Sequence, residues 1–303
     1  MDFRGGNAAI DLGQPRPAVH KKCFAARVTG ATAVLQRLYD GHHIGTRRLS
    51  GDQSIEIAIG SLANTMRMYV EAHIRFGELF KMDPEEAIDN LDRAFEMKLE
   101  AFHTLYDVSK RLFPYFDHGD TTVLIAVRNA IHHRHHHLFQ SMNRRLYIDT
   151  GLDRWRGASF LLASHPTRHG APIQMSHYVR LDDLDARLDP SSASPYLDTT
   201  VRGDKAVWRL KVIDLELKLP AIRNRSLQDR YPKDQVYLNL IPIFVSAVCK
   251  AFKAMKAAGI AFKGFDAQTY AVPFTSEIEV DLDSPSLKRL YVGGFGPPFI
   301  IDA

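Results

Sequence analysis

Between Ile55 and Phe80, eight side chains recur at alternating steps of four and three: Ile55, Ile59, Leu62, Met66, Tyr69, His73, Phe76 and Phe80. That spacing follows the pitch of an α-helix and draws one mainly apolar stripe along it. A strand would scatter the same residues over both of its faces, because strand side chains alternate. The segment is therefore a long amphipathic helix, and its stripe has to be covered by other elements. Ser50 and Gln53 fit a capping box at its start. A second helix opens at Asp83-Pro84-Glu85-Glu86, with Asp83 as N-cap, Pro84 in the first turn and two glutamates opposing the dipole. Its stripe is Ile88, Leu91, Phe95, Leu99, Phe102, Tyr106 and Phe113, and Pro114 closes it. A third helix, capped by Asp120 or Thr121, runs to about Arg145 and buries Leu124, Val127, Ile131, Leu138 and Met142. Three long helices joined by short turns predict an antiparallel bundle.

The pattern changes after Thr150-Gly151. Ala158–Ala163, Ile173–Leu181, Gln235–Ile241, Ser276–Leu282 and Leu287–Val292 are expected as strands. Val207–Leu219 is expected as a longer strand with a bulge near Val212-Ile213. Pro242–Ala258 is expected as a helix closed by Gly259. The fold class is α+β: an N-terminal antiparallel helical bundle followed by a mixed α/β domain. The expected organisation is a loose arm over 1–49, the bundle over 50–148 and an α+β domain of unassigned role over 149–303.

A chain of 303 residues can bury one large core or two modest ones. No apolar run approaches the roughly 20 residues that span a bilayer. The first residues lack the basic and apolar regions of a signal peptide, so a cytoplasmic setting and no membrane partner are expected. Cys23 and Cys249 stand alone and form no metal or disulfide motif. A net charge of +4 permits a polyanionic partner without requiring one. No phosphate loop, dinucleotide fingerprint or nucleophile elbow occurs.

Chemistry concentrates in Arg128-Asn129-Ala130-Ile131-His132-His133-Arg134-His135. On an ideal helix Arg128 and His135 fall inside the apolar stripe, Asn129 lies to one side and His133 points to the far side. An arginine there needs a partner, since an ionised group out of water is costly. A guanidinium holds a phosphate by its planar fork, and a histidine exchanges protons near neutral pH. Together they suffice for RNA transesterification without a metal. The plainer reading is a structural polar cluster at an interface. Zinc is a third reading, because His132 with His136 and His133 with His137 are spaced to share an ion. No Glu follows the first His and no cysteine is near, so neither a metal nor a cofactor is expected.

The segment resembles the signature of HEPN domains, helical bundles whose motif is Arg, four to six residues, then His, often with Asn after the arginine. The resemblance covers at most residues 50–146 and rests on Arg128, Asn129 and either His133 or His135. It implies a metal-independent endoribonuclease of the kind found in toxin–antitoxin and phage-defence systems. It also implies an RNA substrate, a homodimer whose two motifs meet at one site, and an antitoxin or regulatory protein as partner. The motif spacing favours His133, which requires a bend in the helix, while a straight helix favours His135. The alternative function is a non-enzymatic interaction protein that uses the bundle as a dimerisation module. Outside this segment, Arg223–Arg230 is a basic stretch able to touch phosphates. His73 reads as a core histidine, and His165, His169 and His177 show no spacing that specifies a site.

Overall fold

The computed structural model describes residues 51–133, 138–263, 267–294 and 298–302. The arm expected over 1–49, Ser50 of the capping box, and His135 lie outside the described residues. Helix α1 (Gly51–Met82) and helix α2 (Pro84–Ser109) are joined through Asp83, whose carboxylate accepts from the Glu86 N–H at 3.0 Å. They pack as an antiparallel pair, with Tyr69 edge-on to Phe95. The stripes read from the sequence are the faces that bury: Ile55, Leu62 and Tyr69 from α1 meet Leu91, Phe95 and Phe102 from α2. Helix α2 ends at Ser109, ahead of Pro114, and the Ser109 hydroxyl shares a hydrogen bond with the Tyr115 hydroxyl.

Helix α3 (Gly119–His132) is shorter than expected. It ends where the histidines begin, with the His133 N–H donating to the Asn129 carbonyl at 3.0 Å. Histidine is a weak helix former, and a run of them sets no strong preference against a break. Leu138 and Met142 are buried as expected, but Leu138 from non-helical backbone and Met142 from a separate helical turn after the break. The chain recovers a short wide helical turn at Arg144–Asp149.

The sheet has the order β3-β4-β1-β6-β7, built from β1 (Ser159–Ser164), β3 (Tyr178–Arg180), β4 (Val236–Asn239), β6 (Ser286–Tyr291) and β7 (Phe299–Asp302). Strands β1 and β4 are parallel, and the other pairings are antiparallel. Strands β2 (Thr167–His169) and β5 (Glu279–Val280) form a separate pair. Helices α4 (Leu181–Leu188), α5 (Asp204–Leu217) and α6 (Leu219–Gln228) fill the crossover between β3 and β4. Helix α7 (Leu240–Ala257) follows β4 directly, its Asn239 cap accepting from the Ile241 N–H, and the short α8 (Ala267–Val272) comes later. The α+β class holds. The strand expected over Val207–Leu219 is instead α5 and the start of α6. Its deeply buried residues, Ile213 and Leu217, are spaced by one helical turn, and its leucines and lysines favour helix.

Alternation along the central strands separates two layers of packing. Leu161, Ala163 and Leu238 face the helices and share one core with Phe102, Val123, Phe244 and Phe252. Phe160, Leu162 and Tyr237 face the other way, under Met142 and Leu146. Helix α3 lies in the shared core and approaches α5 closely at Gly119. A Cβ there would stand 2.8 Å from the Val212 carbonyl oxygen and 2.9 Å from the Ile213 Cα, so only glycine fits without movement of backbone. No helix among the described residues is long and apolar enough to cross a membrane.

Candidate functional site

Helix α2 turns one polar face outward. Asp89, Asp92, Arg93, Glu96, Glu100 and Thr104 recur at helical steps and line a cleft of about 970 Å³. Ile131 and His132 at the end of α3, with Phe139, Gln140 and Arg144 beyond it, contribute to the lining. Thr65 of α1, Phe95 of α2 and His177 also line it.

Most of the charges in this cleft are neutralised within it. Arg144 holds Asp89 at 2.8 Å, and Arg93 holds Glu96 at 3.1 Å. Glu100 is shared. Arg128 donates to its Oε2 from Nε at 3.0 Å and from Nη2 at 2.7 Å, while His132 Nδ1 lies 3.5 Å from Oε1. The Arg128 side chain is 15% exposed, and that of Glu100 is 45% exposed. The partner that a buried arginine requires is therefore supplied by the neighbouring helix, at the solvent edge. Arg128 Nη1 also donates to Asn129 Oδ1 at 3.3 Å. Asn129 itself borders a second, small crevice with Phe116, Arg187, Asp198 and Arg209.

His103, one turn after Glu100 on α2, belongs to the same group. Burial, and after it the Arg128 guanidinium, hold its imidazole below the ordinary value, against the pull of Asp107 and Glu100. Its Nδ1 sits 3.3 Å from Asp107. His133 is exposed at the helix end, its ring edge-on to His132 at 5.5 Å. No hydrogen bond or ion pair among the described residues joins His133 to Arg128. His136 and His137 of the zinc reading lie outside the described residues.

Deeper in the cleft, Asp92 accepts from the Ser141 hydroxyl at 2.9 Å through Oδ2. Burial pushes its carboxyl up to about 7, with Asp89 and Glu96 adding to the rise and Ser141 and Arg144 opposing it. His177 is 5% exposed and lies flat on Phe95, ring centroids 3.6 Å apart. Burial and the nearby Lys98 hold its imidazole well below the ordinary value, so the ring is neutral at pH 7. Among the described residues neither ring nitrogen of His177, nor Oδ1 of Asp92, nor the side-chain amide of Gln140 has a hydrogen-bond partner.

The structure thus gathers Arg128 and Asn129 with Glu100, His103 and His132. Glu100 and His103 were not singled out from the sequence, since they precede Arg128 by 28 and 25 residues and come near it only through the packing of α2 on α3. Asp92 fell on the polar face of α2, and nothing in the sequence marked His177. The basic stretch at Arg223–Arg230 is partly neutralised: Arg223 bridges Asp185 and Asp214, and Arg225 holds Asp229. No protein-family model matches the chain, and no curated protein or solved structure compared with it gives a match.

Proposed function

We propose that this chain is a metal-independent endoribonuclease acting at the Glu100, His103, Arg128 and His132 cluster on the rim of the cleft. One observation carries the reading. Nε and Nη2 of Arg128 converge on a single oxygen of a half-exposed carboxylate, the geometry in which a guanidinium fork receives a phosphate oxygen. A phosphodiester that displaces Glu100 from Arg128 comes to rest beside the two imidazoles grouped around that carboxylate.

In the proposed step, neutral His103 takes the proton of the 2′-hydroxyl and the 2′-oxygen bonds to phosphorus. The bond from phosphorus to the 5′-oxygen breaks, and His132 gives that oxygen a proton. The products are a 2′,3′-cyclic phosphate and a 5′-hydroxyl. Arg128 stabilises the charge that gathers on the non-bridging oxygens. The HEPN resemblance extends the proposal to a cytoplasmic homodimer in a toxin or defence system, with an antitoxin or regulatory partner.

The test is cleavage of a mixed RNA pool in EDTA by the full chain and its variants, with folding checked by circular dichroism. Arg128→Ala and His132→Ala are each expected to slow cleavage by about 10²–10³, the usual effect of removing one such group. Undiminished cleavage by folded Arg128→Ala overturns the reading. The non-enzymatic alternative is favoured by exposed Val70 and Ile74, one turn apart on α1 and open to a second copy. An RNA pool left intact by a chain that self-associates through α1 decides for it.

A further inference from the structure

The interior of the cleft carries polar groups that the rim chemistry does not use. An imidazole as buried as His177 normally has a hydrogen-bond partner, because a polar group away from water is costly to leave unpaired. Here it lines an open cleft, unpaired among the described residues, together with Asp92 and Gln140. Asp92 is fixed in orientation by Ser141, which donates to Oδ2 and leaves that oxygen's second lone pair and Oδ1 to accept further donors. The surrounding wall is apolar at Phe139 and Ile131. A flat ligand edged with both donors and acceptors satisfies this set, and a nucleobase is such a ligand.

The four bases differ in what they offer a carboxylate. Guanine presents two adjacent N–H donors, N1–H and the 2-amino group, which match the two oxygens of one carboxylate. Adenine and cytosine present a donor beside an acceptor, and uracil a single donor between two acceptors, so each sets a lone pair against a carboxylate oxygen. With guanine on Asp92, its O6 and N7 remain for donors from Gln140 or His177. The distance along α2 also fits. Asp92 and Glu100 are eight residues apart, about 12 Å of helix, which suits a base in the cleft with its 3′-phosphate at the rim.

Building on the ribonuclease reading, we infer that Asp92, with His177 and Gln140, forms a guanine-selective subsite, so that the chain cuts on the 3′ side of guanosine. The inference has a readout independent of cleavage. Guanosine 3′-monophosphate is titrated into the full chain by calorimetry, beside the adenosine, cytidine and uridine 3′-monophosphates. Guanosine 3′-monophosphate is expected to bind about tenfold tighter or more, the discrimination that a good bidentate pair supplies. Asp92→Asn, whose amide places a donor where guanine also donates, is expected to erase that preference while leaving the thermal midpoint close to that of the parent. His177→Gln, checked in the same way, is expected to weaken guanosine binding without inverting the base order.

Sequencing of the ends cut from the mixed pool separates the two proposals. Cleavage with no bias toward guanosine overturns the subsite and leaves the ribonuclease reading in place. Guanosine-selective binding that Asp92→Asn abolishes, in a chain that cuts no RNA, sustains the subsite and overturns the ribonuclease reading. Equal binding of all four nucleotides, or a guanosine preference that survives in Asp92→Asn, overturns the subsite.

Discussion

Replacing Lys98 with methionine is expected to stabilise the protein at pH 7.5 and to flatten its stability between pH 7.5 and 8.5. Lys98 is 2% exposed on the inner face of α2. Its Nζ lies 3.7 Å from the Tyr69 ring centroid, 4.8 Å from that of Phe95 and 4.6 Å from that of Phe244, with no carboxylate paired to it among the described residues. Two effects oppose each other. The ring faces attract a cation by about 0.5–2 kcal/mol at such contacts. Leaving water without a counter-ion costs an ammonium several kcal/mol. Burial wins, and the amine is held well below its ordinary value. The unfolded chain then carries up to one more proton than the folded one at pH 7.5. Because the folded pKa is depressed, stability rises with pH until the unfolded lysine itself titrates near 10.5. The slope is about 1.4 kcal/mol per pH unit while one full proton separates the states. The chosen window lies above the titration of Asp92, near 7, and below that of an unfolded thiol such as Cys249, 9.0, whose raised value gives the opposite slope. Methionine keeps the unbranched apolar stem and removes the amine. Urea unfolding of both proteins at the two pH values gives the slopes, and other titrations common to both cancel in the difference. Parallel slopes would refute the argument that Lys98 is neutral in the fold.

Two further substitutions probe the frame that holds the site. Gly119→Ala should lower the thermal midpoint, because the new Cβ meets backbone of α5 at 2.8 Å and overpacking costs about 1–3 kcal/mol, roughly 2–4 °C for each kcal/mol; a raised midpoint in differential scanning calorimetry would contradict that close approach. Lys250 binds Asp120 at 2.8 Å and also pairs with Glu216, so Lys250→Met should cost about 3–5 kcal/mol by leaving the fully buried Asp120 without its cation. Adding Asp120→Asn should recover part of that loss, and a single variant within about 1 kcal/mol of the parent would show that the pair is weakly coupled to folding.

The elements that were legible in the sequence are those in which one interaction dominates. The stripes read for α1 and α2 hold eight and seven residues, and a stripe of that length has one solution, a helix with its partner alongside. Asp83 with Pro84 was equally plain, because only a helix N-terminus uses both. Val207–Leu219 was misread because an alternation of apolar and charged residues is consistent with either period over a short stretch, and tertiary contact decided it: Glu216 accepts from the Gly119 N–H only when α5 is helical and lies against α3. The break after His132 was hidden for a related reason, since apolar residues on either side of it fit one continuous wheel.

The site follows the same division. Arg128 drew attention because a charge inside an apolar stripe is a local contradiction that some partner must resolve. The partner could not be read, since Glu100 precedes Arg128 by 28 residues and meets it only through the packing of α2 on α3. The interior of the cleft was less legible still. Asp92 occupied a polar face where a carboxylate is ordinary, and His177 sat in a loop where a histidine is ordinary. What makes them unusual is where the packed chain puts them, His177 almost wholly buried with no ring hydrogen bond among the described residues and Asp92 held by Ser141 on the cleft wall, and no local pattern shows that. A charge that contradicts its own helix can be found by reading along the sequence. A polar group left unsatisfied by the fold can be found only once every neighbour is in place, and such a group points outward, to a ligand.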